Sequence, residues 1–169
     1  MATALRDQLI TLYDFTCWAR TIVLDRAAAL STEQLEQDSR FPMGSLKETL
    51  VHAFSAEWAY RKRLVGEAVT AGLKAEDFAD AIALRDAWQE EEGLMRTYLA
   101  GVDDETLAGS VSYTTSRGEE ITRVRRDFLY QLLFHSAQHR SEAAQMLTEF
   151  DQSPGDLDYA LYVREKLAS

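Results

Sequence analysis

The sequence is short of the residues that staple, break or span. Its 169 residues include one cysteine, Cys17, two prolines, Pro42 and Pro154, and eight glycines. A lone cysteine excludes an intramolecular disulfide and fits a reducing compartment. Two prolines, both between periodic segments, leave room for long unbroken helices. No window approaches the ~20 apolar residues of a bilayer span. The N-terminus, MATALRDQLITLYDF, lacks the long apolar core and small-residue cleavage site of a signal peptide. Positive charge is also scarce, with 18 Lys and Arg against 28 Asp and Glu, for a net charge of −10. That sign opposes a phosphate backbone and an anionic lipid surface, so neither nucleic acid nor membrane is an expected partner. No glycine loop that would cradle a phosphate occurs. The expected location is the cytoplasm.

What is present reads as helix. Hydrophobic content of 46% and charged content of 27% suit a globular protein, expected as one domain over residues 1–169. From about Thr3 to Leu30, Leu5, Leu9, Leu12, Phe15 (or Thr16) and Ala19 recur three or four apart, as one helix face requires. The polar stretch LSTEQLEQDSRFPMGS follows, with room for one helical turn. Ser45 and Glu48 in SLKE form a capping box, predicting a second helix from Leu46 to about Val65. Its apolar face is Leu46, Leu50, Phe54, Trp58 and Val65. A third helix is expected from Asp77 or Asp80 to Ala100, and a fourth from about Thr122 to Phe150. Between them SVSYTTSRGEEIT alternates weakly around Ser116-Arg117-Gly118, which predicts a short β-hairpin. Asp156 is a candidate cap for a short terminal helix through Lys166. The predicted class is all-α, a four-helix bundle with long connections.

The chain has three histidines, and two stand four residues apart in His135-Ser136-Ala137-Gln138-His139. Positions i and i+4 share a helix face. On the fourth helix they join the stripe Phe128, Leu132, His135, His139, Ala143, Met146, the predicted buried face. Buried imidazoles need partners, and a divalent metal is one, although polar residues at a core edge would satisfy the same spacing. His52 lies away from the apolar face of its helix, among Glu48, Thr49, Ala56 and Ala59. Such a face borders either solvent or an open cleft. Glu142 follows His139 by one turn and Glu48 precedes His52 by one turn, so each is a candidate base, ligand or orienting group, or a solvated carboxylate. Trp18, Trp58 and Trp88 read as core or core-edge anchors, and Cys17 as a small buried group. Arg61-Lys62-Arg63 and the arginines 123, 125 and 126 read as solvated faces.

Taken together, YDFTCWAR, GSLKETLVHAFSAEWAY, the hairpin-like segment, FHSAQHR and PGDLDYALY resemble the DinB/YfiT family of four-helix-bundle metal proteins over nearly the whole length. The resemblance implies that His52, His135 and His139 bind one divalent metal such as zinc, nickel or iron. One departure stands out: the family often continues its last histidine as HRGQ, where this chain has Arg140-Ser141-Glu142. Three imidazoles leave coordination positions open, the form of a catalytic rather than a structural site. The resemblance implies a metal-dependent enzyme that uses a low-molecular-weight thiol, as an S-transferase or isomerase, or a hydrolase. The substrate would be a small electrophilic molecule, and Glu142 is the candidate catalytic side chain. A non-catalytic metal-binding stress-response protein and a metal-free dimeric interaction module are the alternatives. The family also implies a homodimer, and aromatics such as Trp88 and Tyr98 line either its interface or simply the core.

Overall fold

The computed structural model describes residues 4–115 and 118–167. In chain order the helices are α1 (Leu5–Ala27), α2 (Thr32–Glu36), α3 (Leu46–Leu64), α4 (Ala81–Gly101), α5 (Asp104–Ala108), α6 (Arg125–Glu149) and α7 (Tyr159–Tyr162). Strands β1 (Ser110–Thr114) and β2 (Glu120–Val124) pair antiparallel between α5 and α6. The fold is therefore the expected helical bundle, built on the four long helices α1, α3, α4 and α6. No described helix is long and apolar enough to cross a membrane.

Local chemistry sets most of the helix starts. The Ser45 hydroxyl accepts from the Glu48 amide while the Glu48 carboxylate accepts from the Ser45 amide at 2.9 Å, which satisfies two amides otherwise left open. Ser31 and Gln34 repeat this arrangement at α2, the single helical turn expected in that connection. Asp80 caps α4 by accepting from Ala83. Other boundaries depart from expectation. Thr122 lies in β2, opposite Ser112, so the strand delays α6 to Arg125. Gly118, at φ 81°, takes the left-handed conformation that closes the hairpin, while Ser116 and Arg117 lie outside the described residues. Thr3, the expected start of α1, lies outside them as well. Asp158 rather than Asp156 caps the terminal helix, accepting from Leu161 at 2.7 Å.

Two apolar clusters fill the bundle. One contains Val23, Leu50, Phe54, Trp88 and Met146, the other Leu9, Leu64, Met95, Leu99 and Leu132. Along α1 and α6 the chain passes from the second cluster to the first, and along α3 and α4 from the first to the second. So α3 and α4 run the same way, which requires the long crossover over residues 65–80. Helices α1 and α3 each pack against both α4 and α6 and face each other across the bundle.

A polar layer separates the clusters. The Glu57 carboxylate, 1% exposed, accepts from the Tyr13 hydroxyl, from Arg20 Nη1 at 3.0 Å and from Trp88 Nε1 at 2.8 Å. Arg20 also pairs with Glu92, and Arg61 with the buried Glu91. Each buried charge thus meets an opposite one, without which its burial would be prohibitive. This layer corrects two expectations. The buried face of α1 runs through Leu9, Tyr13, Thr16, Arg20 and Val23, because Tyr13 and Arg20 must reach Glu57, and this leaves Leu12 and Phe15 half-buried. Arg61 is 6% exposed and is no part of a solvated face. Val65, assigned to the apolar face of α3, lies beyond the helix and is exposed, and Leu64 packs inward instead.

Candidate metal centre

Helices α3 and α6 pack side by side, and their seam brings the three histidines together. His52 Nε2 lies 3.1 Å from His135 Nε2. Ring centroids are 5.0 Å apart for His52 and His135, 4.6 Å for His52 and His139, and 4.4 Å for His135 and His139. One ligand nitrogen from each falls within 4.8 Å of the other two. The His52 ring therefore turns towards the pair on α6, which resolves the choice between solvent and cleft in favour of a shared site. Burial is graded across the trio. His139 is buried, His135 half-buried and His52 exposed. His135 was expected fully inside, but an i to i+4 step advances about 40° round the helix, which carries it to the edge of the seam.

Electrostatics favour neutral rings. Burial, then the neighbouring His139, lower the pKa of His52 from its ordinary value. Burial, then His139 and His52, push His135 down to about 4. Neutral imidazole is the form that ligates a metal. The third ring is oriented from behind. His139 Nδ1 lies 2.7 Å from Glu142 Oε2, one turn further along α6, and Gln138 Nε2 donates to Glu142 Oε1 at 3.2 Å. A carboxylate there selects the tautomer with hydrogen on Nδ1 and leaves the Nε2 lone pair for the site. Glu48, the other candidate carboxylate, is engaged in the cap of α3.

The donor set fits a transition metal. Bonds of about 2.0–2.1 Å in a tetrahedral arrangement place ligand nitrogens roughly 3.3 Å apart. The 3.1 Å separation of the His52 and His135 nitrogens is close to that edge. Two unliganded imidazoles would share one hydrogen bond, but three converging rings with one braced by a carboxylate match a ligand set better. Cys17 is buried in the bundle, with its thiol pushed up to about 12 by burial, and is a packing residue rather than a ligand or nucleophile. Trp88 is buried in the core, stacked on Phe54 at 5.2 Å between ring centroids, so it lines no interface.

The sequence assigns no role to Arg20, Glu57 or Arg140, of which the first two pair in the polar layer and the third follows His139 directly. A Glu on the apolar flank of α3 and an Arg at the centre of α1 were visible as buried-face positions of the wrong polarity. The model for the family described as DinB family matches residues 1–167. No curated protein matches the chain.

Proposed function

Since the chain belongs to the DinB family, we propose that His52, His135 and His139 hold one divalent metal ion and that the protein is a metal-dependent enzyme acting on a small electrophilic molecule. The convergence of three imidazole nitrogens within 4.8 Å carries this reading. When bound, the ion would act as a Lewis acid that lowers the pKa of a thiol or water in an open position. The chain supplies the rest. Glu142 is a positioning residue that holds His139 through Nδ1. The exposed side of His52 leaves a way in for a small molecule, while buried His139 anchors the site in the bundle.

The reaction type that fits best is thiol-dependent transfer. The sulfur of a low-molecular-weight thiol forms a bond to an electrophilic carbon, a leaving group departs with its electron pair, and the thiol proton passes to solvent. Hydrolysis of a small substrate is the second form of the same chemistry. A panel of small thiols with chlorodinitrobenzene, run on metal-loaded protein, tests the transferase form. Turnover is expected to vanish in His139→Ala and after chelation. Turnover that survives chelation contradicts the reading. If metal binds and raises the melting temperature but no thiol or ester is turned over, the protein is a non-catalytic metal binder.

A further inference from the structure

A small cavity of about 20 Å³ lies at the level of the polar layer, where all four long helices meet, and His139 forms part of its wall. Its wall is mainly apolar, with Val23, Leu50 and Trp88, and two arginines border it, Arg20 from α1 and Arg140 from α6. Their circumstances differ. Arg20 is paired with both Glu57 and Glu92. Arg140 forms no ion pair among the described residues, and its Nη1 is buried with no hydrogen-bond partner there. Its guanidinium carbon sits 5.1 Å from the centre of the Phe15 ring, which steadies the group without neutralising it. A half-buried guanidinium whose inner Nη1 lacks a partner, beside a cavity, has a donor left for an anion.

His139 borders this cavity and also belongs to the triad, so the two share one wall. A volume of about 20 Å³ admits roughly one oxygen-sized group, which suits a carboxylate oxygen better than a phosphoryl group. We propose that Arg140 and this cavity form a subsite for the carboxylate of the small molecule bound at the histidine triad. The proposal rests on the metal reading for its second half only, since the anion site itself needs no metal.

Two arms test it, with Arg140→Met as the variant that keeps an apolar stem over Phe15 while removing the charge. In the first, metal-free protein is melted at constant ionic strength with methanesulfonate progressively replaced by acetate. Wild type is expected to gain melting temperature in a saturable way and Arg140→Met to show no gain. An equal response in both proteins, or none in wild type (a cavity that holds only water), overturns the subsite. In the second, cobalt-loaded protein is titrated with mercaptoacetate and with 2-mercaptoethanol, read by thiolate-to-cobalt charge-transfer absorption. A charge-assisted hydrogen bond predicts about tenfold or greater preference for mercaptoacetate in wild type, falling to about onefold in Arg140→Met. An acetate response without that charge preference means the site takes free anions only and overturns the link to the triad. Failure of wild type to bind cobalt sinks the metal reading instead, and the acetate melts still decide the anion site.

Discussion

His139 and Glu142 are joined through one short contact, Nδ1 to Oε2 at 2.7 Å, made within a single turn of α6. The contact fixes the ring that is most buried of the three, so the other two have a stationary nitrogen to converge on. Removing the carboxylate frees that ring to rotate and to carry its hydrogen on the other nitrogen. Glu142→Gln is therefore expected to weaken metal binding about 10- to 100-fold while leaving the fold intact, as orienting partners of ligating histidines typically do. Competition titration against a chromophoric chelator measures it, and an unchanged affinity would show Glu142 to be a bystander.

Proton competition gives a second expectation. The pKa of His135 is depressed to about 4 in the folded chain from an ordinary value of 6.5. Between those values the unfolded state binds a proton that the folded state does not, so the slope of unfolding free energy with pH is positive. Stability of metal-free protein should therefore fall as pH drops from about 6.5 towards 4, and His52, lowered in the same direction, adds to the effect. Denaturant melts across that range check it. His135→Gln should flatten part of the slope, and a slope identical to wild type would remove His135 as its source.

The layer around Glu57 makes a sharper stability prediction. Its carboxylate serves Tyr13, Arg20 and Trp88 at once, with burial and then Glu57 raising the Tyr13 hydroxyl well above its usual range. Arg20 is raised too: burial lowers it, and Glu57, the next strongest influence, helps to reverse the direction. Glu57→Ala leaves the Arg20 charge short of a partner and is expected to cost about 3–5 kcal/mol. Glu57→Gln keeps the shape and two acceptor lone pairs and should cost less. Urea unfolding of both variants decides, and equal losses would show that the lost charge alone sets the cost, with shape and the remaining acceptors contributing nothing.

At the start of α3 the capping box should yield a smaller effect. Ser45→Ala removes the acceptor for the Glu48 amide and is expected to cost about 1 kcal/mol, with no change in metal affinity. Because α3 carries His52 two turns further on, a drop in affinity with this variant would mean that the cap also positions the ligand.

The features that were legible in the sequence are those decided by near neighbours. Ser45 and Glu48 act within one helical turn, the spacing of His135 and His139 places them on one face, and the alternation of SVSYT survives as a strand. Contacts across the bundle were not legible. Nothing local to Arg20 or Glu57 says that they meet, because 37 positions of chain separate them and their pairing depends on α1 facing α3 across the core. Arg61 shows the same limit. Beside Lys62 and Arg63 it reads as solvated charge, and only the approach of Glu91 on α4 explains its burial. For His52 the local pattern leaned towards a surface histidine without excluding a cleft, and the packing of α3 on α6 decided between them.

The most direct test is metal stoichiometry in protein purified without a histidine tag. Elemental analysis and titration with zinc, nickel, iron or cobalt should find about one ion per chain in wild type. His52→Ala, His135→Ala and His139→Ala should each lose it while circular dichroism stays helical. Wild-type protein that takes up none of these ions, or a folded His139→Ala variant that binds one as tightly as wild type, would contradict the account.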